Sequence, residues 1–135
     1  MNEGWLNEEY LIVFTDSEIE STTQRYGLPN FLPGYEVVGV RGWDDLIVRD
    51  ATGQIYTVPS VPLDTKYLTP YSIPAGNPEP DERLSGKIKW YVQPIAFGGD
   101  PDPGPNLTWV THEQHGQLVI WWNKQYQTLK SGRAT

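Results

Sequence analysis

The stretch GLPNFLPGYEVVGVRGWDDLIVRDATGQIYTVPSVPLD, residues 27–64, decides the fold. Gly27 reads as a helix stop, because glycine takes the left-handed conformation after a helix at no steric cost. Pro29 follows two residues later and blocks continuation of that helix. Three short runs then predict strands at Tyr35–Val40, Asp45–Asp50 and Gln54–Val58, each rich in β-branched or aromatic residues and bounded by turn residues. Arg41-Gly42-Trp43-Asp44 fits a tight turn, and Asp50-Ala51-Thr52-Gly53 fits a hairpin loop with Gly53 at positive φ. Consecutive strands joined so briefly make a β-meander.

Upstream, Tyr10–Phe14 (YLIVF) is a continuous apolar run of strand length, as expected of a strand buried on both faces. Thr15 and Asp16 offer capping oxygens, and Glu18 stands three residues after Thr15, the spacing of a capping box. The helix they start is expected over Ser17–Tyr26, with Ile19, Thr23 and Tyr26 inward. Residues 1–7 are expected to be loose, apart from Trp5 and Leu6 tucked onto the core.

Downstream, Pro59, Pro62, Pro70 and Pro74 limit residues 59–80 to edge strand and loop, since proline cannot donate to a ladder. Residues 76–82 read as an exposed connector. Lys87–Ile95 alternates with the period of a half-buried strand, a turn-rich loop follows over residues 98–106, and Leu107–Val110 resumes as strand. Thr111 and Gln114 supply a second capping box. Leu118, Trp122, Tyr126 and Leu129 then form one apolar stripe, widened by Val119 and Trp121, while Gly116 marks a close approach. The expected fold class is therefore α+β: a single domain over residues 1–135, mainly antiparallel sheet with its meander core at about 35–58, packed by an N-terminal helix (about 17–26) and a C-terminal helix (about 112–129).

Composition narrows the function. There is no cysteine, hence no disulfide framework or thiolate chemistry, which suits a reducing compartment. The acidic start Met1-Asn2-Glu3 is unlike a signal peptide, and apolar runs of about five residues fall far short of the roughly 20 that a membrane span needs. A cytoplasmic protein is expected. The net charge of −7 is unevenly placed: residues 1–64 hold 11 acids and 3 bases, residues 65–135 hold 6 acids and 7 bases. An acidic half repels nucleic acid and steers basic partners toward itself.

Catalytic and cofactor motifs are missing. The sequence has no phosphate loop, no GxGxxG and no GxSxG. His112 and His115 stand three apart on one predicted helix face and, with Asp100 or Asp102, could hold a metal in a small hydrolase. The first turn of a helix is nevertheless ordinary surface for polar residues, and HxxH without a spaced glutamate matches no hydrolase motif. Asp44, Asp45 and Asp50 are the acid–base candidates, but carboxylates in a turn are usually solvated, with nothing to raise their pKa. No catalytic residue, metal or cofactor is assigned. Trp90, Trp109, Trp121 and Trp122 lie in predicted elements and read as core. Trp43 sits instead in a polar turn beside Asp44-Asp45, the composition of a protein-binding hot spot or of a tucked-in loop anchor.

The order YGLPNFLPGYEVVG (Tyr26–Gly39), followed by an Asp/Arg-containing strand and GQIYTV, resembles the core of the SUKH superfamily, which includes fungal Smi/Knr cell-wall assembly regulators and many small bacterial proteins. FGGDPDPGPNLTWVTHEQHGQLVIWWNKQY (Phe97–Tyr126) is similar to the tail of some bacterial members. Where many members carry an Asp-Gly-Gly-Gly turn, this chain has Arg41-Gly42-Trp43-Asp44. The resemblance implies an antiparallel sheet packed by helices. It also implies a non-enzymatic immunity protein that binds a secreted toxin, often a nuclease or other basic enzyme, or alternatively a regulatory adaptor. The acidic half suits such a partner independently. The expected contact residues are Glu36, Trp43, Asp44, Asp45 and Asp50.

Overall fold

In the computed structural model, which describes residues 1–91 and 107–132, six strands form one antiparallel sheet in chain order. They are β1 (Asn2–Leu6), β2 (Glu9–Val13), β3 (Glu36–Arg41), β4 (Asp45–Arg49), β5 (Ile55–Pro59) and β6 (Thr69–Pro70). A second pair, β7 (Ile88–Tyr91) and β8 (Leu107–Val110), is also antiparallel. The helices are α1 (Asp16–Arg25), the single turn α2 (Leu28–Phe31) and α3 (His112–Gly132). The α+β class and the meander stand as expected. Predicted strand residues 92–95 and the loop at 98–106 lie outside the described residues. No helix among the described residues is long and apolar enough to cross a membrane.

Two expectations about the N-terminal third of the chain need correction. Residues 1–7 are not loose: β1 pairs with β2 from Asn2↔Val13 to Leu6↔Glu9. Its hairpin turns on Asn7 (φ 52°) and Glu8 (φ 66°), two non-glycine residues in the left-handed region that sequence patterning does not announce. The outer edge of β1 is covered in turn, as the Trp5 amide donates to the Glu79 carbonyl and the Glu79 amide to that of Trp5, both at 2.8 Å. Secondly, Pro29 does not simply end the helical region. Gly27, left-handed at φ 69°, stops α1, and Pro29 falls in the first turn of α2, where its missing N–H has no partner to lose.

The core follows the strand pattern. Tyr10, Leu11 and Ile12 of β2 are all buried, as befits a strand covered on both faces. Val37, Val40, Leu46, Ile47, Val48 and Val58 continue it across β3–β5. Ile88 and Trp90 of β7 are buried too, on the predicted alternation. Both capping boxes carry hydrogen bonds: the Thr15 amide donates to the Glu18 carboxylate at 2.8 Å, and the Gln114 amide to the Thr111 hydroxyl at 3.1 Å.

The inner face of α3 departs from the predicted stripe. Its fully covered residues are His115, Gly116, Val119 and Asn123, while Trp121 is 53% and Leu129 52% exposed. The helix is rolled so that a polar-containing row faces inward. Asn123 explains part of this. Its amide donates to the carbonyls of Ser60 and Val119 (2.8 Å each) and accepts from the Leu63 amide (2.7 Å), tying α3 to the segment after β5. At Gly116 a Cβ would lie 2.9 Å from the Arg25 carbonyl oxygen, so α1 and α3 meet there as closely as the glycine predicts.

Gly39 sits where the β3–β4 register shifts, and a Cβ on it would lie 2.5 Å from the carbonyl oxygen of Ile12 on β2. Gly39→Ala should therefore push two central strands apart and cost about 3 kcal/mol, near the upper end for overpacking. Urea unfolding of the purified variant measures this, with a loss below about 1 kcal/mol contradicting the close approach.

Candidate partner-binding site

Two turns, β1–β2 and β3–β4, end side by side at one end of the sheet, because β2 runs beside β3 with Leu11 opposite Arg41. The Gly42 amide reaches across to the Tyr10 carbonyl at 2.8 Å, joining them. Between them lies a concavity of about 320 Å³ walled by Trp5, Tyr10 and Trp43 and edged by Glu8, Glu9, Asp44, Asp45 and Arg41.

Trp43 is its centre. Gly42 and Trp43 both have positive φ (55° and 64°), and for a bulky side chain that conformation costs of order 1 kcal/mol. The turn sets the half-buried indole on Tyr10, with ring centroids 4.9 Å apart and planes 19° from parallel. Trp5 and Trp109 meet it edge-on at 6.1 and 5.5 Å, and the Lys89 ammonium lies 5.5 Å over the ring. Trp43 is thus a tucked-in anchor, and its buried Nε1 has no hydrogen-bond partner among the described residues. Two of its aromatic neighbours are exposed. Trp5 is 38% and Trp109 42% exposed, the latter a correction to its expected place in the core.

The charged groups around this wall are not equivalent. Arg41 donates to Glu9 at 2.6 and 3.1 Å, and this pairing holds the Glu9 carboxyl below its usual value. Among the described residues, neither the Asp44 nor the Asp45 carboxylate has a hydrogen bond or ion pair. Partial desolvation raises both above the ordinary aspartate value, opposed by Lys89 at Asp44 and by Arg41 at Asp45. The expectation of ordinary solvated carboxylates is corrected here, more firmly at half-buried Asp45 than at the exposed Asp44, where water screens the effect.

The expected contact set divides. Trp43, Asp44 and Asp45 are together, whereas Asp50 lies at the far end of β4, about 17 Å away at 3.3 Å per strand residue. There Asp50 accepts from the Thr52 amide and hydroxyl, the Gln54 amide and the Tyr56 hydroxyl, so it organises the β4–β5 turn. Glu36, also at that end, pairs with Arg49 at 3.1 Å. Sequence reasoning passed over Trp5, Glu8, Glu9 and Tyr10 because the β1–β2 hairpin that brings them to Trp43 carries no turn signature.

The alternative metal site draws on His112 and His115. His115 is a fully buried core residue, not surface, with Nδ1 2.7 Å from the Tyr26 hydroxyl and its ring edge-on to Trp90. Burial depresses its pKa to about 3. No cluster of three or more metal-ligating side chains occurs among the described residues, and Asp100 and Asp102 lie outside them. A second concavity, of about 380 Å³, is lined by Phe31, Leu63, Asp64, Tyr126 and Lys130. Its carboxylate is already committed: Asp64 accepts from Lys130 at 2.8 Å and from the Tyr126 hydroxyl at 3.0 Å, and these bonds bring its pKa to about 2. The β1–β2/β3–β4 turn face therefore holds the more available chemistry.

No protein-family model matches this chain, and neither a curated protein nor a solved structure shows significant similarity to it.

Proposed function

We propose that this chain is a cytoplasmic, non-enzymatic binding protein of the SUKH type, an immunity protein that neutralises a basic toxin by covering it through the β1–β2/β3–β4 turn face. The observation that carries this reading is the pair of carboxylates, Asp44 and Asp45, that make no hydrogen bond or ion pair among the described residues and line one concavity with an aromatic wall. A protein that leaves such groups uncommitted has electrostatic free energy available for a cationic partner, and half-exposed tryptophans supply the apolar contact of a hot spot. The net excess of acids in residues 1–64 adds long-range steering. The left-handed conformation of Trp43 is consistent with the reading, since strain of this kind is retained where a side chain must be presented. The likeness of Tyr26–Gly39 and Phe97–Tyr126 to SUKH proteins supplies the class of partner.

The test is rescue. A toxin-sized reading frame adjacent to this gene is expressed in a sensitive host with and without this protein. Wild type should restore growth, whereas Asp44→Lys with Asp45→Lys, folded by circular dichroism, should not, its association being slowed at least tenfold at low salt. Equal rescue by the double variant would remove this face from the account. A neighbouring frame that is harmless on expression would shift the reading toward a regulatory adaptor.

A further inference from the structure

We infer that the concavity between the two turns is a guanidinium site, and that the partner inserts an arginine side chain into it. This rests on the binding reading above and specifies its chemistry. The concavity of about 320 Å³ has room for one long side chain, not for a folded element. Its walls are of two kinds. Trp5 and Trp43 meet at 89°, with centroids 6.1 Å apart, and form an aromatic corner backed by Tyr10. The same concavity is lined by Asp44 and Asp45, adjacent in sequence at the mouth of β4, without an ion pair among the described residues.

An aromatic corner sharing one concavity with two carboxylates outside any ion pair among the described residues favours a flat cation with several donors. Arginine stacks on a ring by its plane and forks to carboxylates by its edge, and it gives up hydration more readily than an ammonium. Lysine offers a point charge and cannot do both at once. Trp43 already carries Tyr10 stacked on its ring and Lys89 Nζ 5.5 Å from its centroid, so the half-exposed Trp5 is the ring left for the guanidinium plane, with Trp43 forming the side of the corner. Arg41 does not fill the corner, because its guanidinium is held by Glu9 and lies 5.0 Å over the Tyr71 ring. Four acids against one base line the cleft; Arg41 is committed to Glu9 and Lys89 partly offsets Asp44, which leaves a net negative cleft that favours an incoming cation.

The probes are blocked hexa-arginine and hexa-lysine peptides, titrated at low salt while the indole N–H resonances of the six tryptophans are followed by NMR. Equal formal charge cancels the non-specific attraction. Hexa-arginine is expected to bind about tenfold more tightly than hexa-lysine, the scale of a stacked and forked cation over a point charge. It should shift the Trp5 and Trp43 signals, the latter assigned by its loss in Trp43→Phe, and leave that of Trp121 in place. Asp44→Asn with Asp45→Asn keeps the turn's shape and should abolish the preference for arginine. Equal affinity for the two peptides, no binding of either at millimolar concentration, or shifts centred on Trp121 would each overturn the inference. The binding reading would survive all three, since it is tested separately by toxin rescue and by capture of the partner.

Discussion

Asn123→Ala is expected to lower stability by about 3 kcal/mol and the melting temperature by roughly 10 °C. The side chain is buried and fully used, spanning the carbonyls of Ser60 and Val119 and the amide of Leu63. Truncation to alanine leaves the Leu63 amide and the Ser60 carbonyl without that partner, and an orphaned buried group costs about 1–3 kcal/mol. Removing the bonds also frees α3 from the segment that follows β5. Asn123→Asp separates these effects: it keeps the acceptor for Leu63, loses the donor and adds a buried charge, so it should be at least as damaging at neutral pH. Thermal unfolding monitored by circular dichroism checks both variants. A loss under about 1 kcal/mol for Asn123→Ala would mean that the latch contributes little.

Below pH 6.5 the fold should lose stability at up to about 1.4 kcal/mol per pH unit for each buried histidine that must charge on unfolding. His115 is the principal one. Burial, with a smaller contribution from the charge of His112, depresses its folded pKa to about 3, against the ordinary 6.5 of the unfolded chain. Between those values the unfolded state binds the extra proton. Its contribution is therefore complete above pH 6.5 and is lost as the pH falls toward 3. His112, depressed mainly by burial, acts in the same sense, while Asp44 and Asp45, raised in the folded state, act in the opposite sense at lower pH. His115→Gln retains an amide to meet the Tyr26 hydroxyl and should roughly halve the slope between pH 6.5 and 5 in urea titrations. An unchanged slope would place the acid sensitivity elsewhere.

What sequence patterning captured and what it missed divide along physical lines. The meander was legible because its turns contain Gly42 and Gly53, both at positive φ, and because YLIVF is too apolar to be anything but a covered strand. The β1–β2 hairpin was not, since Asn7 and Glu8 adopt the same left-handed conformation without glycine to announce it. On α3 the period of 3.6 was correct but its phase was not. Leu118, Trp122 and Leu129 drew the stripe toward the apolar residues, while the packed face carries His115 and Asn123, whose hydrogen bonds reach partners 89 and 60 residues away. Trp121 and Leu129 are left exposed by the same roll of the helix.

The candidate site was half legible. Trp43-Asp44-Asp45 stood out as an aromatic beside acids in a turn, and the three do share one face with Trp5 and Glu9. Glu36 and Asp50 looked alike by composition but are consumed locally, by Arg49 and by the β4–β5 turn. What separates a binding carboxylate from a structural one here is its hydrogen-bond bookkeeping, which depends on tertiary contacts that composition does not encode.

The most direct measurement is a quantitative pull-down from the lysate and secreted fraction of the source cells at low salt, with tagged wild type and with Asp44→Lys, Asp45→Lys in parallel. Wild type should retain one basic enzyme stoichiometrically and inhibit it, and the double variant should retain none. Retention of the same enzyme in equal amount by both would contradict the assignment of the turn face, and retention of no basic enzyme by wild type would contradict the immunity reading itself.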